Sequence, residues 1–337
     1  MPGLIDPAAL FAPLDEFSRL GLAVSGGADS LALMLLAARH ATTPAARSRL
    51  FVYSVDHGLR PEAAEEVRFV LAEAERLGLA ARGLRWSGRK PSAGLQQAAR
   101  RARYRLIGEA MRADGVPVLL TAHHLADQAE TVLMRLAHGS GVEGLRGMDY
   151  FAEVEGISLV RPLLGVDPER LRQLVAEAGL AAVADPSNAD PDYERVRWRQ
   201  LLPQLAALGL DAARLGQFSR RMRDTDRALE QATAIAFARV ALSEAQGEAS
   251  LSRADFRGLP RAVAVRLVAR LLDRVGGGRK PHALAAVEAL TDRLVREPLR
   301  QTLHGCLVEA DAQTIRIRRE DDPRRARRRN QGLVTPY

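Results

Sequence analysis

Residues 20–36 read LGLAVSGGADSLALMLL. An apolar run stops at Ser25, two glycines and an acid follow, and a second apolar run begins at Leu31. A strand, a glycine turn and a helix in that order belong to α/β architecture, where ligands gather beyond the carboxyl ends of parallel strands. Gly26 and Gly27 let the backbone approach an anion closely, and the first N–H groups of the following helix, with its dipole, favour negative charge. Ser25 and Ser30 add hydroxyl donors. No lysine stands in this turn as it does in a Walker loop. Asp29 repels phosphate unless Mg²⁺ lies between them, so the acid points to a metal-bound pyrophosphate. The same residues also describe a tight strand-to-helix turn with a serine or aspartate N-cap.

The alternation continues for two thirds of the chain. Leu20–Val24, Phe51–Val55, Leu79–Leu84, Val116–Thr121 and Ile157–Val160 are short apolar runs rich in strand formers. Helical patterns separate them at Ser30–Arg39, Pro61–Leu77 and Leu95–Arg112. The expected fold is α/β: a doubly wound, mostly parallel sheet covered on both faces. The pattern then changes. Phe218–Val240 and Arg261–Val275 read as long helices, a glycine-rich GGGRKPH turn precedes a helix over Ala283–Arg296, and a β-like stretch finishes the ordered sequence. The expected organisation is a catalytic domain over 1–212, a linker helix with a smaller α+β domain over 213–322, and a basic, disordered tail over 323–337.

Polar residues cluster after the strands. Val55-Asp56-His57-Gly58-Leu59-Arg60 ends the second strand, beside the first loop. In the helix from Leu95, the 3.6-residue period predicts a buried stripe of Leu95, Ala98, Ala99, Ala102 and Leu106. Gln96, Arg100 and Arg103 then share an adjacent stripe, and two guanidiniums pointing one way suit phosphate or a developing transition-state charge. A solvated basic face has the same pattern. Thr121-Ala122-His123-His124-Leu125-Ala126-Asp127-Gln128-Ala129-Glu130-Thr131 follows the next strand and enters a helix. There Val132, Leu133 and Leu136 form the apolar side, and Asp127, Glu130, Thr131 and Arg135 face away. This cluster can serve metal, ATP or an amine; nothing resembles H-E-x-x-H, and no cysteine assists, which counts against zinc.

Taken in order, these strings carry a resemblance. Ser25–Ser30 (SGGADS) is similar to the PP-loop of the ATP pyrophosphatases, which cleave ATP between the α and β phosphates. The D-H-x-L-R string at Asp56–Arg60, A-R-x-x-R-Y at Ala99–Tyr104, the Thr121–Thr131 string, the glycines of 139–147, Arg161-Pro162-Leu163-Leu164 and Asp185-Pro186-Ser187-Asn188 resemble the tRNA(Ile)-lysidine synthetase branch. Three positions depart from its pattern: Ala126 replaces the first of two aspartates, His138 an arginine, and Val196 an asparagine. The resemblance implies that ATP adenylates O2 of the wobble cytidine of an isoleucine tRNA with a CAU anticodon. Free L-lysine then displaces AMP to give lysidine. It implies ATP contacts at Ser25, Gly26, Gly27, Ala28, Asp29, Ser30, Asp56 and His57, with Mg²⁺ near Asp29 and Asp127. Arg100 and Arg103 steady charge, Asp127 or Glu130 holds the lysine, and His124 joins the catalytic set. Arg195, Arg197 and Arg199 are placed to meet RNA phosphates, and a homodimer is permitted.

The bulk composition fits. A net charge of +8 over 337 residues matches a polyanionic partner. No apolar run reaches the roughly 20 residues that cross a bilayer, the N-terminal stretch lacks a secretory layout, and a cytoplasmic location is expected. Cys306 is the single cysteine, which disfavours a thiolase of the same superfamily. Two alternatives stay open: another PP-loop tRNA-modifying ligase, and a catalytically weakened protein that binds ATP and RNA.

Overall fold

A computed structural model describes residues 5–320 apart from 89, 92–93, 184–189, 191, 246 and 278–282. The D-P-S-N string, most of the GGGRKPH turn and the basic tail lie outside the described residues. In chain order the elements are α1 (Pro7–Phe11), β1 (Leu20–Ala23), α2 (Ala28–His40), α3 (Pro44–Arg47), β2 (Leu50–Asp56), α4 (Ala63–Arg76), β3 (Ala80–Arg85) and α5 (Leu95–Asp114). There follow β4 (Val118–Leu120), α6 (Leu125–Ala137), α7 (Val142–Leu145), β5 (Phe151–Val154), β6 (Ile157–Val160), α8 (Pro168–Glu177), α9 (Glu194–Ala207) and α10 (Ala212–Val240). The rest is β7 (Ala241–Ala245), β8 (Glu248–Ser252), α11 (Arg253–Arg257), α12 (Arg261–Gly276), α13 (Leu284–Arg296), β9 (Leu299–Leu303), β10 (Cys306–Ala310) and β11 (Thr314–Arg319). The chain divides into two compact units, Met1–His138 with Gly144–Arg220 and Gly139–Glu143 with Arg221–Tyr337. The division falls inside α10; the expected boundary at residue 212 stands at the start of the same helix.

The first unit holds a six-stranded sheet in the order β3-β2-β1-β4-β6-β5. All neighbours are parallel except β5 with β6. Strand alternation sorts the core into two faces. Leu20, Leu22, Leu50, Val52, Val118 and Leu120 pack with α2, α4 and α8 on one side. Phe51, Tyr53, Leu119 and Leu159 pack with Tyr104, Ile107 and Met111 of α5 on the other. Helix α2 is buried from Ser30 to Ala38, as its continuously apolar stretch Leu31–Ala38, packed against the sheet and α8, must be. Order reverses between β1 and β4, so their carboxyl ends flank the crevice where doubly wound folds bind ligands.

Two local expectations are corrected. The buried stripe of α5 is Ala102, Tyr104, Ile107, Gly108 and Met111; Leu95, Ala98, Ala99 and Leu106 are only half-buried. The alanine-rich N-terminal half offers little area to bury, and the larger Tyr104, Ile107 and Met111 set the helix's rotation. Leu136, assigned to the apolar side of α6, is exposed. Strand β5 had no sequence reading. It forms an edge hairpin with β6 through Glu155-Gly156, both at positive φ as a two-residue type I′ turn requires.

The second unit carries an antiparallel sheet, β7-β8-β11-β10-β9. Leu251, Val308, Ile315 and Ile317 cluster with Val268, Leu271 and Leu272 of α12 and Leu290 and Leu294 of α13. Arg253 is fully buried among them and donates from Nε to the Leu294 carbonyl (3.0 Å) and from a terminal nitrogen to the Asp311 carbonyl (2.6 Å). Among the described residues no helix is long and apolar enough to cross a membrane.

Candidate active site

The loop after β1 is built by its own residues. Gly26 sits at φ +88°, in the left-handed region, and a Cβ there would stand 3.2 Å from Val183 Cγ2. Its carbonyl accepts from the Val183 N–H at 3.0 Å. Gly27 is the N-cap of α2 and offers no capping side chain, so the first-turn N–H groups stay open to an anion. The serine or aspartate cap that the alternative reading required is absent. Ser30 is buried; its hydroxyl accepts from the Ser25 N–H (3.1 Å) and donates to the Gly27 carbonyl (2.9 Å). Ser30 therefore braces the loop, and the Ser25 hydroxyl stands 3.3 Å from it. Ala28 and Asp29 begin α2, and the Asp29 side chain is 42% exposed.

At the tip of β2, Asp56 turns inward. Its Oδ1 accepts from the Gly58 N–H (2.7 Å), and Oδ2 lies 3.5 Å from Arg85 Nε. Asp56 thus shapes the turn that presents the half-buried His57.

Beyond β4, His124 is the N-cap of α6. The Asp127 N–H donates to its Nδ1 (3.4 Å), while Asp127 Oδ2 accepts from the His124 N–H (3.0 Å), a reciprocal capping box. A cap accepting at Nδ1 puts the proton on Nε2. Nε2 lies 3.4 Å from Asp29 Oδ2 and 3.5 Å from Asp127 Oδ2. Burial disfavours the charged imidazole, but the Asp29 hydrogen bond and the charges of Asp127, Asp29 and Glu130 outweigh it and raise the His124 pKa. Burial also works against the Asp127 carboxylate, and is overcome by His124, the His124 N–H and Arg195, which hold its pKa down. His123 goes the other way. Burial, aided by Arg161, Arg195 and Arg100, lowers its pKa to about 4 despite Asp127, and its Nδ1 stands 2.8 Å from Thr121 Oγ1.

Glu130 is fully buried between two arginines of α9. Its carboxylate lies 2.9 Å from Arg195 Nε and accepts from Arg199 Nε at 2.8 Å. Arg199 also reaches Asp127 Oδ1 at 3.7 Å. Arg195 and Arg199 thus face carboxylates of α6, where the sequence reading turned them towards RNA phosphates; Arg197 is exposed on the same helix. The pairing was foreshadowed only by spacing, since residues four apart share a helix face. Val196 is buried. His138 Nε2 stands 3.0 Å from Glu194 Oε1.

Three further residues hold the glycine segment that follows α6. Gln128 donates to the Met148 carbonyl (3.1 Å) and to Ser219 Oγ (2.9 Å), and accepts from the Met148 N–H (2.7 Å). Arg135 donates to the carbonyls of Gly144 and Gly147. Ser219 donates to the Arg146 carbonyl at 2.6 Å. Ser219 had no local signal, because its role depends on a partner 91 residues away.

On α5, Arg100 and Arg103 lie with their Cζ atoms 5.0 and 5.4 Å from the Tyr104 ring centroid. Burial depresses the Arg103 pKa. Among the described residues neither guanidinium has a carboxylate partner.

For a divalent cation, Asp29 and Asp127 offer two carboxylates directed at one imidazole N–H. No group of three or more metal-ligating side chains exists among the described residues. Two hard oxygen donors without a cage fit Mg²⁺, which keeps most of its shell as water and substrate phosphate.

Comparison with known proteins places the chain in a family. The model of the PP-loop domain (ATP_bind_3) matches residues 6–205. A tRNA(Ile)-lysidine synthase from Bradyrhizobium sp. is 44% identical over 91% of this chain and 92% of its own. One from Rhodopseudomonas palustris is 46% identical over 89% and 90%, and one from Methylobacterium nodulans is 45% identical over 90% and 91%. Among solved structures, the U34-tRNA thiolase NcsA from Methanococcus maripaludis with its [4Fe-4S] cluster superposes with a TM-score of 0.52, covering 65% of this chain and 78% of that one at 14% identity. At that identity the likeness concerns the fold alone.

Proposed function

The chain belongs to the tRNA(Ile)-lysidine synthase family of PP-loop proteins, and from that premise we propose that it joins free L-lysine to C2 of the wobble cytidine of a CAU-anticodon isoleucine tRNA. The observation that carries this reading is the convergence of the uncapped α2 N-terminus with Asp29, His124 and Asp127 at the β1–β4 crevice. The cytidine O2 attacks the α-phosphorus of ATP and pyrophosphate leaves. The ε-amine of lysine then attacks C2, the C2–O bond breaks, AMP departs, and the amine gives up a proton.

The loop N–H groups of residues 27–30 and the Ser25 hydroxyl hold the departing pyrophosphate, and Ser30 keeps the loop in shape. The turn at Asp56 and His57 meets the nucleotide. Asp29 and Asp127 would hold Mg²⁺, which when bound neutralises the phosphates and lets these carboxylates approach them. His124 keeps both acids in register. Asp127 is the carboxylate best placed to hold and orient the amine, because its low pKa keeps it ionised. Glu130, sealed between two guanidiniums, positions Arg195 and Arg199. Arg100 and Arg103 meet negative charge beside the reacting centre. A cytoplasmic location accords with such a substrate, and the homodimer permitted by the family likeness is an assembly to be measured.

The test is incorporation of labelled lysine into a CAU-anticodon tRNA transcript with ATP and Mg²⁺, with AMP formation followed in parallel. Asp29→Ala abolishes both on this reading; near-normal turnover would overturn the assignment. Tight tRNA binding without transfer by the unaltered protein would favour an RNA-binding role, a reading motivated by Ala126, His138 and Val196.

A further inference from the structure

Lys90 and Lys280 are the only lysines in an arginine-rich chain, and Trp86 and Trp198 the only tryptophans. Trp198 packs into the hydrophobic cluster of α6 and α9. Trp86 belongs to no hydrophobic cluster among the described residues and is only half-buried. It stands just past β3, and Lys90 places its Nζ 3.7 Å from the indole centroid. A large aromatic ring kept out of the core and faced by a cation is placed for contact with something outside the fold.

The pair is built into the carboxyl edge of the sheet. The Trp86 N–H donates to the Asp56 carbonyl at 2.8 Å, which continues the β2–β3 pairing. Lys90 Nζ donates to the Trp86 carbonyl. A Cβ on Gly58 would stand 3.5 Å from that carbonyl oxygen and 3.8 Å from Lys90 Nζ, so the loop after β3 touches the turn after β2. The carboxylates close by are already matched, Asp56 by Arg85 at 3.5 Å and Glu66 by Arg60 at 3.0 Å. Lys90 has no carboxylate partner among the described residues. An ammonium has three N–H donors, and one is spent on Trp86, so two stay for an anion.

Position decides what the pair meets. Strand β3 is the edge of its sheet, two strands from β1. Neighbouring strands lie about 4.8 Å apart, so Trp86 stands roughly 10 Å outward of the phosphate loop, past the Asp56–His57 turn. An RNA that offers one unpaired nucleotide to the β1–β4 crevice extends beyond that nucleotide on both sides. Unpaired RNA is held by a ring that stacks a base and a cation that meets its phosphate, and Trp86 with Lys90 supplies both. A duplex keeps its bases stacked inside and leaves such a ring without a partner.

We propose that Trp86 and Lys90 form a platform for an unpaired nucleotide neighbouring the reacting cytidine of the RNA substrate, the indole stacking its base and the ammonium meeting its phosphate. This rests on the reading above that an anticodon-loop nucleotide reacts, and the experiment reads binding apart from transfer. An anticodon stem–loop RNA with a CAU loop is titrated into the protein without ATP or lysine while tryptophan fluorescence is followed. Stacking quenches an indole, so the unaltered protein should lose emission on binding, and Trp86→Phe should keep only the Trp198 signal. Trp86→Ala should bind the stem–loop about 5- to 150-fold more weakly, the worth of one stacked base, and Trp86→Phe should recover part of that loss. Lys90→Gln should reduce the slope of log affinity against log salt by about 0.7, one single-strand phosphate contact. In turnover, Trp86→Ala should raise KM for tRNA and leave KM for ATP and for lysine unchanged. Equal stem–loop affinity of Trp86→Ala and the unaltered protein would overturn the platform. If Trp86→Ala fails to fold, the fluorescence contrast with Trp86→Phe decides alone, and identical quenching in the two proteins sinks the proposal. Quenching of Trp86 by ATP alone would assign the ring to adenine, and quenching by a fully paired duplex of equal length would refute stacking on an unpaired base. A platform verified in a protein that transfers no lysine would stand, and the lysine-transfer reading alone would fall.

Discussion

Nε2 of His124 lies 3.4 Å from Oδ2 of Asp29, which joins the first turn of α6 to the first turn of α2. One imidazole thereby caps one helix and aligns the acid on another. The two tasks separate by substitution. Asn is a good N-cap but is too short to hold Asp29, so His124→Asn should keep the thermal midpoint within a few degrees and lower AMP formation by about 10- to 100-fold. His124→Ala should lose about 1 kcal/mol of stability as well. Equal activity for His124→Asn and the parent would show that the alignment is dispensable.

Glu130 anchors Arg195 and Arg199 from a fully buried position. Its replacement by Gln should destabilise the first unit by about 2–3 kcal/mol. That is below the loss for a wholly buried pair, because both arginines retain solvent contact. Urea unfolding followed by circular dichroism measures this, and an unchanged midpoint would contradict the anchoring role.

Mild acid should loosen the structure through His123. His123 has a folded pKa of about 4 because of burial and neighbouring arginines, against about 6.5 in an unfolded chain. Between those values the unfolded state binds the proton and the folded state does not, so stability falls as pH drops from about 6.5 towards 4. His123→Gln removes this group's part of the slope, which approaches about 1.4 kcal/mol per pH unit at most. Identical pH slopes in the parent and the variant would refute the assignment.

The second unit has its own reporter. Burial raises the Cys306 thiol to a pKa of about 11, so it should resist alkylation in the native state and react on unfolding. A Cβ on Gly276 would stand 2.4 Å from the His304 carbonyl oxygen and 3.1 Å from Cys306 Sγ. Gly276→Ala should therefore cost about 1–3 kcal/mol and speed the labelling of Cys306. Unaltered labelling would mean that the α12 C-terminus adjusts freely.

Chelation gives a last check on Asp29 and Asp127. Excess EDTA should abolish AMP formation and added Mg²⁺ should restore it, while Asp127→Asn should need a higher Mg²⁺ concentration for half-maximal rate. Full activity in EDTA would remove the metal from the proposal.

Sequence alone determined the elements whose causes are local. The glycine pair at 26 and 27, the apolar strands and the loop chemistry after β1, β2 and β4 act within a few residues, so their patterns announce strand, turn and helix N-terminus directly. The polar strings were legible as neighbours because a parallel sheet brings the carboxyl ends of its strands together. Tertiary structure decided what depends on distant partners. Arg199 meets Glu130 across 69 residues, and Gln128 meets Ser219 across 91. A charge pattern cannot say which of its members will be buried against which acid. The rotation of α5 was settled by the sheet face it covers, since an alanine-rich helix presents nearly equivalent stripes until larger side chains find a partner. Backbone preference acts along the chain, whereas burial and charge pairing act through space, and the division between the two kinds of residue follows that physical difference.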